Sequence, residues 1–169
     1  MPACLDPDFL VMAHRGAGAA QPENTIEACE YTWTASSWLV PEADVNTTLD
    51  GVLVAFHDND LSRVASDLDG SLAGKKIQDI PWEQARRIDV GARKGAEFSK
   101  QYLPAIAAIF ARMKDRPERR LYLDHKRAAL PVLAELSRVV WMMAPTGNRS
   151  GLFDREIKGH PALLAKKRP

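Results

Sequence analysis

The chain has 169 residues, of which 46% are apolar and 27% charged, and a net charge of +1 at pH 7. These values are ordinary for one globular domain, and the small net charge argues against binding to nucleic acid or to anionic membranes. No apolar run approaches the length of a membrane span and no basic leader begins the chain, so we expect a cytoplasmic protein. The two cysteines, Cys4 and Cys29, indicate neither a disulfide framework nor a metal site.

The first predicted element is a strand over residues 9–13, an apolar run typical of a parallel sheet with both faces buried. It ends in the pair His14-Arg15 and then breaks at glycines and a proline. Residues 23–34 predict a helix, because apolar side chains recur there at helical spacing. Asn24 or Thr25 can cap its first turn.

A second strand is predicted over residues 38–45, although Pro41 disturbs it. Because side chains alternate along a strand, Glu42 and Asp44 point to the same face. The Asp50-Gly51 pair then predicts a hairpin turn that leads into the apolar run 52–56, a further strand or hairpin arm ending at His57.

The middle of the chain reads as loops and short helices. Residues 61–76 are polar and predict a long surface loop, residues 82–88 a short helix, and residues 89–101 another loop. Pro104 is expected at the first position of an amphipathic helix that runs to Met113.

The last predicted strand, residues 120–124, runs into Asp124-His125-Lys126, where Asp124 and Lys126 share a face. A further amphipathic helix is expected from Pro131. Residues 145–169 are rich in Lys, Arg, Gly and Pro, and we expect an irregular tail after a domain over residues 1–144.

Chemically active side chains sit at or beyond the ends of these strands, and the ends of parallel strands converge in space. Three carboxylates suit a hard cation such as Mg²⁺ or Ca²⁺, while Arg and Lys suit phosphate oxygens and two imidazoles suit acid–base chemistry. Each feature alone also has a purely structural explanation, such as a solvated strand face or a salt-bridged edge. The set comprises His14, Arg15, Glu42, Asp44, His57, Asp124 and Lys126.

Three segments carry a resemblance to a known family: AHRGAGAAQPENT at 13–25, PEADVNTTLDGVLVAFHDNDLSRV at 41–64 and LYLDHK at 121–126. In order and spacing they resemble the glycerophosphodiester phosphodiesterase family. Its signature is HRG, PENT, E-x-D, T-x-DG, an HD before an arginine-containing turn, and a later E-x-K. The resemblance covers about residues 9–126.

The resemblance implies a (β/α)₈ barrel and roles for individual residues. A divalent cation, Mg²⁺ or Ca²⁺, would assist hydrolysis of a glycerophosphodiester to an alcohol and glycerol 3-phosphate. Asp124 stands where the family has a glutamate that is one methylene longer. By this resemblance His14 and His57 are the acid–base pair, Glu42, Asp44 and Asp124 the metal ligands, Arg15 and Lys126 the phosphate-binding residues, and Glu23 and Asn24 their supports.

The length predicts only part of such a barrel, because a complete one takes roughly 250 residues and three to four strands are identified here. Three explanations of the short length remain open: a shortened gene product with an unrelated tail, a fragment of a longer protein, or two half-barrels that join in a homodimer. The functional alternative is an inactive member that binds phosphate or metal. A phospholipase D of the sphingomyelin-cleaving type resembles the same barrel, but no cysteine pair for a bridge accompanies the 61–76 loop.

Overall fold

The computed structural model describes residues 10–66, 72 and 74–126, so the helix expected from Pro131 and the tail over 145–169 lie outside the described residues. The strands are β1 (Val11–Ala13), β2 (Leu39–Thr47), β3 (Leu53–Ala55) and β4 (Tyr122–His125). The helices are α1 (Ile26–Ala35), α2 (Trp82–Ala85) and α3 (Ile106–Ala111), with 3₁₀ turns at Ile77–Asp79 and Ala96–Phe98.

Strand β2 is central, since each of the other three strands pairs with it. β1 and β4 run parallel to β2, and β3 returns antiparallel from the predicted hairpin. Parallel strands linked through helices, with one added hairpin arm, are the arrangement expected of a partial (β/α)₈ barrel. Among the described residues no helix is long and apolar enough to cross a bilayer.

The predicted burial of both faces of β1 is wrong. Val11 is 42% exposed and Met12 is 50% exposed. Within the described residues β1 pairs with β2 alone, and these residues leave its apolar side chains open to solvent. An apolar run specifies a strand that can be buried, but the burial itself depends on strands elsewhere in the chain.

The two predictions that involved a proline also differ from the structure. Pro41 lies inside β2, which continues to Thr47, and pairs with Ala13 of β1. Pro104 does not open α3, because Ala105 precedes the first helical residue. Instead the Pro104 carbonyl accepts a hydrogen bond of 3.0 Å from the Ala55 amide, which holds this segment extended against β3.

The core has two parts on either side of β3. One lies between the sheet and helices α1 and α3 and includes Ala43 and Val45, whose alternation turns Glu42 and Asp44 to the opposite face. The other packs the segments after β3 around Leu61, which is completely buried. Leu61, Val64 and Ala65 therefore enter the core, while Ser62 and Arg63 between them stay exposed, so the prediction of a polar surface loop is wrong for these three residues.

Candidate active site

Three carboxylates form the centre of the site. Glu42, Asp44 and Asp124 each offer an oxygen, and these oxygens lie within 4.8 Å of one another. The strand register explains this proximity, because Asp44 of β2 stands directly opposite Asp124 of β4. Glu42 and Asp44 are 4% and 1% exposed, so their charges need partners.

Asn24 supplies one partner through two reciprocal hydrogen bonds. Its Nδ2 donates to Asp44 Oδ2 at 2.8 Å, and its Oδ1 accepts from the Asp44 amide at 2.9 Å. Asn24 has a φ of 58°, a left-handed conformation that asparagine tolerates better than most residues. The next residue, Thr25, caps α1 by accepting from the Ala28 amide at 3.1 Å, so helix start and strand are fixed together.

Arg15 contacts the carboxylates with both its backbone and its side chain. Its amide donates to Glu42 Oε2 at 3.0 Å, and its Nη1 donates to Glu23 Oε1 at 3.0 Å. Its buried Nε lies 3.6 Å from Asp44 Oδ2 and has no hydrogen bond in the described part of the chain. Arg15 also has a positive φ, 54°, a strained backbone conformation often found at functional sites.

His14 lies at the open side of this cluster. Its Nε2 is 3.8 Å from Glu42 Oε2, and its side chain is 70% exposed. A groove of about 440 Å³ runs past it, lined by residues 13–15, 17–20 and 23. Lys94 fixes the rim of this groove by donating to the carbonyls of Gly18 and Ala19 at 2.7 and 3.0 Å.

His57 follows β3, and in the described contacts its ring meets Asp58 and none of the three carboxylates. The Phe56 amide donates to the Asp44 carbonyl at 2.8 Å, which carries the chain past the carboxylates just before His57. The ring Nδ1 of His57 lies 2.6 Å from Asp58 Oδ1. The described structure therefore connects His57 to the site through the backbone of β2 and through Asp58.

Lys126 lies between two of the carboxylates. Its Nζ is 2.6 Å from Asp124 Oδ2 and 3.3 Å from Asp44 Oδ1. The hydrogen bond that Lys126 donates to Asp124, together with the effect of Asp44, outweighs desolvation and raises the pKa of Lys126 above its usual range. The ammonium thus reduces the repulsion between the carboxylates.

Arg63 and its partner Asp58 lie beside the predicted set, and neither was assigned a role from the sequence. Arg63 donates to Glu23 through Nη1 at 2.8 Å and Nη2 at 2.5 Å, and to Asp58 through Nε at 2.6 Å. The HD motif and the arginine-containing turn were visible in the sequence, but the 40-residue separation between Arg63 and Glu23 gives no local pattern that would predict their contact.

The carboxylate set fits a hard divalent cation by the chemistry of its donors, since all three side chains offer oxygen. Asp44 Oδ1 is buried, and its described partner is the Lys126 ammonium at 3.3 Å, a longer contact than the one of 2.6 Å that Lys126 makes with Asp124. The residues that would hold the cation are Glu42, Asp44 and Asp124, as the resemblance implied.

Comparison with known proteins agrees with this geometry. The sequence model of the Glycerophosphoryl diester phosphodiesterase family matches residues 14–141. The chain belongs to this family. The match includes every residue of the predicted site, from His14 to Lys126.

Individual relatives show the extent of the similarity. A glycerophosphodiester phosphodiesterase of Caldanaerobacter subterraneus is 31% identical over 107 residues, which are 63% of this chain and 41% of the relative. An Oleispira antarctica phosphodiesterase, solved in complex with sn-glycerol-3-phosphate, is 28% identical with a TM-score of 0.64, over 81% of this chain and 53% of that one.

A glycerophosphodiester phosphodiesterase structure from Agrobacterium tumefaciens is 23% identical and shares the fold, with a TM-score of 0.68 over 79% of this chain and 54% of that one. The chain therefore spans about half the length, or less, of these family members. The described fold is a partial (β/α)₈ barrel.

Proposed function

We propose that this protein hydrolyses glycerophosphodiesters to glycerol 3-phosphate and an alcohol with the help of a divalent cation, Mg²⁺ or Ca²⁺. The observation that carries the proposal is the convergence of three carboxylates, one arginine and one lysine beside a histidine at one edge of the sheet. Family membership and the product bound to the Oleispira relative support the choice of substrate.

In the proposed reaction Arg15 and Lys126 bind the nonbridging oxygens of the phosphodiester. The positive side chains of Arg15 and Lys126 stabilise the negative charge that grows on these oxygens in the transition state. A divalent cation held by the three carboxylates would supply further electrostatic stabilisation of that charge.

The histidines divide the proton transfers. One of His14 and His57 removes a proton from the attacking water or from a neighbouring substrate hydroxyl, and the other donates a proton to the alcohol oxygen as its bond to phosphorus breaks. When water attacks, one P–O bond forms and one breaks, and the products are the free alcohol and glycerol 3-phosphate. Glu23 and Asn24 support Arg15 and Asp44.

The test is release of choline from glycerophosphocholine by the purified chain, with Mg²⁺, with Ca²⁺ and with EDTA. We expect turnover that EDTA abolishes, and a loss of about 10²- to 10⁴-fold in His14→Ala and in His57→Ala, because each removes one proton-transfer group. A matched surface variant, Arg86→Gln, removes only an exposed pair with Glu83 and serves as the control. The proposal would be refuted if choline release by the wild-type chain were unchanged by EDTA and no faster than release by His14→Ala.

A second candidate function is binding without turnover. The chain spans about half the length of its relatives, and the described sheet leaves β1 with one unpaired edge among the described residues. A phosphate- or metal-binding protein would then keep the carboxylate set and Arg15 without a finished pocket. Calorimetry that detects Mg²⁺ or Ca²⁺ binding together with glycerol 3-phosphate binding, in a chain without choline release, would favour this candidate.

The exposed side chains of β1 also support the proposal that two copies complete one barrel as a homodimer, with residues 1–144 as the domain and 145–169 as a tail. Val11 and Met12 would then be covered by the second copy. Light scattering is expected to give twice the mass of 18.7 kDa. A monomeric mass, together with cooperative unfolding of that monomer in urea, would exclude the dimer.

A further inference from the structure

Arg63 makes more directed contacts than a surface arginine usually does. It follows β3 in a turn, and its guanidinium uses both terminal nitrogens on the Glu23 carboxylate and its Nε on Asp58. All three distances lie between 2.5 and 2.8 Å. A bidentate pair plus a second carboxylate fixes the orientation of the guanidinium, because its donors are rigid and planar.

Both carboxylates that Arg63 holds have a second partner in the proposed site. Glu23 Oε1 also accepts from Arg15 Nη1 at 3.0 Å, and Asp58 Oδ1 lies 2.6 Å from His57 Nδ1. The contacts therefore form one continuous chain from the imidazole of His57, through Asp58, Arg63 and Glu23, to the guanidinium of Arg15.

The charge state of Asp58 determines which ring nitrogen of His57 carries a proton in their contact. Burial raises the pKa of Asp58, but hydrogen bonds from Arg63 and His57 and their charges outweigh burial and lower it below the usual value. An ionised carboxylate only accepts hydrogen bonds, so the Nδ1 of His57 must carry the proton in this contact. The other ring nitrogen, Nε2, is then the atom left for proton transfer.

We propose that Arg63 is a positioning residue, which fixes Asp58 against His57 Nδ1 and Glu23 against Arg15, so that the proton-transfer nitrogen and the phosphate-binding guanidinium keep one relative geometry. The proposal rests on the hydrolysis proposed above for the roles of His57 and Arg15. Arg63 itself touches neither histidine nor any of the three metal-site carboxylates in the described contacts.

The simpler alternative is that Arg63 only stabilises the turn after β3. Exposed ion pairs usually contribute little, and Arg63 is 48% exposed. However, its two partners are only 20% and 23% exposed. The Arg86–Glu83 pair, a single contact of 3.0 Å between exposed residues of α2 and its end, shows the ordinary case and provides a control.

The first experiment observes the imidazole of His57 without relying on turnover. Proton–nitrogen NMR of labelled protein should show a hydrogen-bonded Nδ1–H for His57, assigned by its loss in His57→Ala. We expect Arg63→Gln to remove this signal through faster exchange with water, Arg63→Lys to retain it in part, and Arg86→Gln to leave it unchanged. A wild-type protein without the signal, or a signal unchanged in Arg63→Gln, would overturn the proposal.

The second experiment separates positioning from stability through a double-mutant cycle. Arg63→Gln should lower kcat/KM for glycerophosphocholine by about 10- to 100-fold in the wild-type background and by a clearly smaller factor when His57 is already alanine, because only the contribution through Glu23 and Arg15 then remains. Equal losses in both backgrounds would show that Arg63 does not act through His57 and would refute the positioning of that ring. If the wild-type chain has no turnover, the proposed hydrolysis fails, while the NMR result still decides whether Arg63 orients His57.

Discussion

Replacing Asn24 tests how the site is assembled. Asn24 joins the segment before α1 to β2 through two buried hydrogen bonds with Asp44. Asn24→Ala removes both bonds and also places alanine at a φ of 58°. Asn24→Gly removes the same bonds, but glycine adopts this φ without strain, so the two variants differ mainly in the backbone cost.

The expected loss follows from the groups left behind. Losing a hydrogen bond to a charged carboxylate costs about 1.5–3 kcal/mol, and a buried amide left without a partner costs about 1–3 kcal/mol. These two costs are not fully additive, because the structure around Asp44 can relax. We therefore expect Asn24→Gly to lower the free energy of unfolding by about 3–4 kcal/mol. Alanine in the left-handed region adds about 1 kcal/mol.

Urea unfolding followed by far-UV circular dichroism measures these differences as changes in the midpoint at constant slope. Thr34→Ala is the matched control, because it removes an exposed hydrogen bond from Thr34 to the Glu30 carbonyl one turn earlier in α1. We expect that control to change stability by about 0.5 kcal/mol or less. If Asn24→Gly cost no more than Thr34→Ala, the contact with Asp44 would not hold the two segments together.

Three further predictions concern the same segment. Gly16→Ala should lower the free energy of unfolding, measured in urea, by about 2–3 kcal/mol, because Gly16 has a φ of 88° and an added Cβ would lie 2.8 Å from the Cβ of Ala28. Gly51→Ala is its control and should cost about 1 kcal/mol, because Gly51 has a φ of 82° but an added Cβ would meet nothing within 4 Å in the described part of the chain. Thr25→Ala should cost about 1 kcal/mol through loss of the helix cap, and Thr25→Ser should preserve most of it. Burial raises the pKa of Glu23, but its two arginine partners outweigh burial and lower it below 4.5. Its contribution to the free energy of unfolding is thus complete above about pH 4.5 and falls as the pH drops through the folded-state pKa, so Glu23→Gln should flatten the decline measured between pH 5 and 3.

Sequence reasoning predicted the carboxylate cluster because it depends on regular geometry. Alternation along β2 puts Glu42 and Asp44 on one face, and the edge shared by neighbouring parallel strands brings Asp124 beside them. These relations follow from strand identity and direction alone. The hairpin after Asp50 was equally local and is confirmed as the antiparallel pairing of β2 with β3.

The features that sequence reasoning missed depend on distant partners. Residues 9–13 have the same apolar pattern whether or not another strand covers them, so their exposure could not be deduced. Leu61 stands in a polar stretch, yet its burial depends on the later segments that pack around it. Arg63 and Glu23 belong to different loops, and only the folded sheet brings those loops together.

Asp44 explains why so much of the site is assembled within about half a barrel. Its side chain contacts Asn24, Arg15 and Lys126, which come from the two strands flanking β2 and from the turn before α1. Its carbonyl accepts from Phe56 and so directs the hairpin toward the same edge. Because every one of these partners comes from β2 or from segments next to it, the geometry of the carboxylates depends on three adjacent strands. We therefore expect the proposed cation binding to be measurable on its own, apart from the proposed phosphodiester turnover.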